Sequence, residues 1–104
     1  MKLYKVVIEC NSTDINNISY CETDHCAMFV SYDAAFRCYD KLKNAVNDEY
    51  TSDPVYSNCS DFIVRIYEGE QKENYNPDFE MPYDDEFSWN CLEKTQVTNP
   101  MYRR

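Results

Sequence analysis

Glycine is nearly absent from this chain: Gly69 is the only one in 104 residues. A loop that cradles phosphate needs several glycines, so that backbone N–H groups can close on the anion. Nucleotide-dependent folds of that kind are excluded. Histidine is as scarce. His25 stands alone beside Cys26, whereas a nucleophile and its base normally come from separate elements so that each can be aimed. The chain is not expected to be an enzyme. No apolar run approaches the roughly 18 residues that a membrane-spanning helix requires. Cations are few as well: ten Lys and Arg stand against 19 Asp and Glu, for a net charge of −9. Nucleic-acid affinity is built from cations that neutralise phosphates, so neither direct nucleic-acid binding nor attachment to an anionic membrane is expected.

What is present is enough for one small domain, since 43% of the residues are hydrophobic and a chain of this length can bury a single core. The first ten residues, MKLYKVVIEC, are interrupted by Lys5 and Glu9. They read as a strand and not as a signal peptide, which points to the cytoplasm. Six cysteines, at positions 10, 21, 26, 38, 59 and 91, are an even count of the kind that forms bridges in short secreted chains. Without a secretion signal, free thiols are the expected state. Disulfides and metal ligation are the alternatives. Cys21, His25 and Cys26 have metal-binding chemistry, but C-x3-H-C sets two ligands side by side and needs Cys10 or Cys59 as a fourth, a poor match to zinc spacing. Asp84, Asp85 and Glu86 do not match a calcium loop. No metal or other cofactor is expected. The sequons at Asn11, Asn17 and Asn58 matter only in a secretory setting.

Alternation of Tyr4, Val6, Ile8 and Cys10 with Lys5 and Glu9 predicts a half-buried strand over 2–10. Residues 11–25, rich in Asn, Ser, Thr and Asp, predict a loop, and the apolar run 26–30 a second strand. Ser31 then stands at an N-cap position, with Asp33 in the first turn. Ala35, Cys38, Tyr39, Leu42, Ala45 and Val46 recur at helical spacing, which predicts a helix over about 32–48. Residues 49–60 read as a loop. Phe62, Val64 and Ile66 alternate with Ile63, Arg65 and Tyr67, giving a third strand that ends near Gly69. The expected fold is α+β, a three-stranded antiparallel sheet of order 2-1-3 with one main helix on one face. Its core draws on Tyr4, Val6, Ile8, Met28, Val30, Tyr39, Leu42, Val46, Phe62, Val64 and Ile66. Residues 1–69 form this core and 70–94 an acidic aromatic segment. In that segment Pro82, the acids 84–86 and Lys94 predict a short helix, with Tyr83, Phe87 and Cys91 on one side. Residues 95–104 are a patternless tail expected to fray.

The charge is strongly localised. Residues 68–93 hold nine acids and one base, and the remaining 78 residues hold ten acids and nine bases. Tyr75, Phe79, Tyr83 and Phe87 recur there at every fourth position, with Trp89 close behind. One reading wraps these aromatics over the open sheet face and leaves the carboxylates as a solvated side. In the other, Glu68, Glu70, Glu73, Asp78, Glu80, Asp84, Asp85 and Glu86 present a row of charge to a basic cleft, with Tyr83, Phe87 and Trp89 supplying contact area. The two are compatible.

The run EGEQKENYNPDFEMPYDDEF on a small cysteine-tolerant domain resembles the small acidic proteins that bacteriophages use to inhibit host defence, of the anti-CRISPR and DNA-mimic kinds. The resemblance is one of composition, covers residues 68–93, and assigns no residue a role. It implies a non-enzymatic, protein-binding inhibitor that occupies the nucleic-acid groove of a basic host protein, for example a nuclease complex, within the host cell cytoplasm. The alternative is a structural or assembly protein that homodimerises through an open sheet face or an aromatic surface.

Overall fold

The computed structural model describes residues 2–71 and 87–102. They form strands β1 (Lys2–Thr13) and β2 (Ser19–Phe29), helix α1 (Tyr32–Asp48), and strands β3 (Cys59–Gln71) and β4 (Phe87–Thr98). Two short 3-10 turns, Tyr50–Ser52 and Pro54–Tyr56, link the helix to β3. The strands make one antiparallel sheet of order β2-β1-β3-β4. Among the described residues no helix is long and apolar enough to cross a membrane.

The expectation of three strands is corrected by β4. Residues 87–94, assigned to a short helix, and 95–98, assigned to the tail, pair along β3 from Gln71↔Phe87 to Asp61↔Thr98; positions 82–86 lie outside the described residues. The register slips between Ile66 and Tyr67, which leaves Leu92 as an extra residue in β4. Phe87, Trp89 and Cys91 therefore share a face with Lys94 and Gln96, and this frame change hides the alternation that identifies a strand. The free backbone edge of β3 decides the outcome, because pairing it satisfies donors and acceptors that local helix signals leave open.

The loop expected over 11–25 shrinks to residues 14–18. β2 runs from Ser19 and is exposed on both sides through most of its length, so it shows no apolar alternation, and backbone pairing with β1 holds it. At the hairpin tip the Asp14 carboxylate accepts from the backbone N–H groups of Asn16 (2.8 Å) and Ile18 (2.9 Å). Asn17 adopts a left-handed conformation with φ 62°, which asparagine tolerates better than most residues.

Helix α1 begins as its sequence dictates: Ser31 Oγ accepts from Ala34 N at 3.3 Å. Ala35, Tyr39 and Val46 are buried against Val6, Ile8, Cys10, Phe62, Val64 and Ile66, and Tyr4, Cys38 and Leu42 pack at the margin. The Tyr39 hydroxyl also hydrogen-bonds Thr95, which ties the helix to β4. Two expected core residues are outside it. Met28 lies opposite Lys5 on the face turned away from the helix, and Val30, 81% exposed, falls between the strand and the helix cap. At the far end Asn99 is buried; its side-chain amide donates to Tyr56 O (2.9 Å) and Cys59 O (2.8 Å), anchoring the chain after β4.

Phe62 is fully buried, with Tyr50 and Tyr56 edge-on to its ring at 5.6 and 5.5 Å. Phe62→Ala should lower unfolding free energy by about 3–5 kcal/mol. Leu42→Ala, at the margin of the core, should cost about 1–2 kcal/mol. Denaturant titration checks the order; equal losses would mean that the helix is seated on a different face.

Candidate functional site

The described members of the acidic aromatic site divide between the two faces of the sheet. Successive residues of a strand point to opposite sides, and the register puts Glu68 opposite Tyr4 and Glu70 opposite Lys2, on the helix side. Trp89 lies opposite Gly69, and Phe87 opposite Gln71, on the reverse side. Lys2 Nζ reaches both Glu68 (3.5 Å) and Glu70 (3.4 Å). The hydrogen bond that Lys2 donates to Glu70, followed by the charge of Glu68, raises the lysine pKa. Glu73, Asp78, Glu80, Tyr83, Asp84, Asp85 and Glu86, and the aromatics Tyr75 and Phe79, lie outside the described residues. Residues 72–86 nevertheless join two positions that face each other across the sheet, Gln71 and Phe87, and they carry six acids and one base.

On the reverse face the only glycine meets the only tryptophan. A Cβ at Gly69 would lie 2.5 Å from Trp89 Cζ3, so the indole rests directly on the backbone and a hydrogen is all that fits. The φ of Gly69 is not positive; close approach, not backbone freedom, requires glycine here. Lys5 Nζ stands 4.2 Å from the Trp89 ring centroid and 5.3 Å from that of Tyr67, within range of a cation–π attraction. Phe87, 2% exposed, packs on Trp89 with centroids 5.5 Å apart.

Beside this platform is a polar cluster that the sequence reading missed. Arg65 Nε approaches Glu9 Oε1 to 3.2 Å, Tyr67 donates its hydroxyl to the same oxygen at 3.3 Å, and Cys21 donates to Glu9 Oε2 at 3.6 Å. Burial opposes the charge on Arg65, but Glu9, Tyr67 and Cys91 outweigh it and hold the guanidinium pKa above its ordinary value. Burial and then Glu9 raise both the Cys21 thiol and the Tyr67 phenol. A thiol shifted upward has little thiolate at neutral pH and is a poor nucleophile. Alternation along β1 and β3, with Lys5 and Glu9 on one and Arg65 and Tyr67 on the other, was the available signal.

The Cys21, His25 and Cys26 group is split by the pleat. His25 lies opposite Ile8 on the helix side, whereas Cys26 lies opposite Val7 and Cys21 opposite Asn11 on the reverse side. Among the described residues no group of three His, Cys, Asp or Glu side chains converges as metal ligands, and all six cysteines are free thiols. Toward the C-terminal end of the helix, Tyr56 donates to Asp24 Oδ2 at 3.1 Å and stacks on Tyr50 at 5.0 Å. Cys10 is in the core nearby, and burial, reinforced by Cys59, pushes its thiol up to about 12. No family model, curated protein or solved structure matches the chain.

Gly69→Ala should push the indole off the backbone and away from Lys5. The expected results are a red shift in tryptophan fluorescence and a stability loss of roughly 1–3 kcal/mol. An unshifted spectrum with unchanged stability would show that Trp89 does not rest on Gly69.

The raised Cys10 pKa means that the folded state holds this proton more tightly than the unfolded chain. Its contribution is complete below the ordinary thiol value of 9.0 and is lost as pH rises toward about 12, by up to about 4 kcal/mol. Denaturant titrations from pH 8 to 11 should show falling stability with a shallower slope in Cys10→Ala; identical slopes would remove Cys10 as a source.

Proposed function

We propose that the protein is a non-enzymatic binding protein whose acidic end docks into the nucleic-acid groove of a basic protein, acting as an inhibitor of the kind that phages direct against host nuclease complexes. The observation that carries this reading is the pairing of Gln71 with Phe87 combined with the composition of residues 72–86. Fifteen residues tethered at both ends reach no more than roughly 25 Å from their anchors. Their six acids, in sequence next to Glu68 and Glu70, thus belong to a segment whose two ends are paired at one end of the sheet. A dense set of carboxylates there is suited to stand in for the phosphates that such a groove binds, with fast association at low salt and screening at high salt.

The second reading, homodimerisation over the open sheet face, has weaker support. Leu3, Val7, Ile63 and Phe87 on that face are already buried within the chain, which leaves less apolar surface for a second copy to cover. Catalysis has no support in the polar cluster, where the titratable thiol and phenol are held in their neutral forms.

Asp84, Asp85 and Glu86 replaced by Asn, Asn and Gln keep their size and lose their charge. Against a panel of basic nucleases, the wild-type protein should bind at least one and block its loading of DNA. The triple variant should melt within a few degrees of wild type, associate about tenfold more slowly at low salt, and show a weaker salt dependence. Binding and inhibition that survive unchanged at every salt concentration would eliminate electrostatic docking.

A further inference from the structure

The geometry points to Cys10 and Cys59 as an intramolecular disulfide site that ties β1 to β3. Cys10 pairs with Phe62, and after the register shift at Ser60 the next residue of β1 on the same face, Ser12, pairs with Cys59. The two cysteines are therefore diagonal neighbours on the helix side of adjacent strands, a spacing of about 7–8 Å that a small backbone shift at the Ser60 irregularity brings into disulfide range. Both belong to the main core cluster, at 3% and 1% exposure, and each thiol perturbs the proton affinity of the other. The other four cysteines lack this arrangement: Cys21, Cys26 and Cys91 are exposed, and Cys38 is half-buried on the helix.

The oxidant is a small-molecule disulfide such as oxidised glutathione. The Cys59 sulfur, deprotonated, attacks one glutathione sulfur, breaks the glutathione disulfide, and releases one glutathione thiolate. The Cys10 sulfur then attacks Cys59 and expels the second glutathione. Two protons and two electrons leave the protein thiols, one S–S bond forms in the protein, and two reduced glutathione molecules result. Burial keeps both thiols protonated and shielded from glutathione in the closed core, so the exchange proceeds through transient opening of the β1–β3 pair or during folding. Once formed, the bond closes a loop of about fifty residues, a length at which cross-linking restricts the unfolded chain substantially.

The test uses the full chain carrying C21S, C26S, C38A and C91S, which retains only the two cysteines in question. Refolding in excess oxidised glutathione, followed by alkylation under denaturing conditions, should give a monomer two mass units lighter than the reduced chain, with no alkyl or glutathione adduct. Its melting temperature should rise on the order of 10 °C, and dithiothreitol should reverse the rise. In the wild-type chain, tandem mass spectrometry of unreduced peptides should place the link between Cys10 and Cys59. Recovery of both residues as alkylated thiols, mixed disulfides that do not resolve, or a wild-type link to another cysteine would overturn the site. So would a melting-temperature gain that persists when Cys59→Ala is added.

Discussion

One helix cannot cover four strands. A helix is about 10 Å across and strands are spaced about 4.8 Å apart, so α1 can shield two strands fully. It is seated over β1 and β3, the interior pair, which explains why Val6, Ile8, Phe62, Val64 and Ile66 are buried while most of β2 and β4 is exposed. The reverse face has no helix, yet the apolar residues of β1 and β3 on that side must also leave water. Lys5, Arg65, Tyr67 and Trp89 share that face with Leu3, Val7 and Ile63, and side chains of this kind can cover apolar neighbours with their stems and rings while polar ends remain at the surface. The Glu9 to Arg65 ion pair and the Lys5 to Trp89 contact belong to this layer, and their proximity to one another follows from the same need.

The two ends of the sheet differ in chemistry because of the hairpin order. At one end β1 turns into β2 through five residues ordered by their own hydrogen bonds. At the other, β3 and β4 are joined by residues 72–86, in which acids outnumber bases six to one. Like charges brought close raise one another's energy, and among the described residues Lys2 is already engaged with Glu68 and Glu70. On the docking reading proposed above, a cationic partner would relieve that repulsion on contact. Affinity of this origin depends on ionic strength more than on the shape of the sheet.

The sequence made β1, the helix and the middle of β3 legible because each has one face in the core and one in water, so hydrophobicity alternates with the right period. Ser31 and Asp33 marked the helix start for equally local reasons. β2 was largely illegible: Cys21, Glu22 and Thr23 are exposed, and a strand held by backbone pairing carries no side-chain signature. β4 was misread because Leu92 breaks the period and Pro82, the acids 84–86 and Lys94 imitate helix ends. In the candidate site, the accumulation of carboxylates could be counted from composition, but the separation of Glu68 and Glu70 from Phe87 and Trp89 onto opposite faces required the strand register. The Gly69 and Trp89 contact was beyond local reading, since the two residues are brought together only by the β3–β4 pairing.

That pairing also bears on how such a chain can diversify. Gln71 and Phe87 are held opposite each other by the ladder itself, so the entropy of closing the segment between them changes only logarithmically with its length, about 0.6 kcal/mol for each doubling. In closure entropy alone, insertions and deletions between these two anchors therefore cost the sheet little. The ladder thus supplies a fixed frame whose geometry does not depend on the length of the segment between its two anchors.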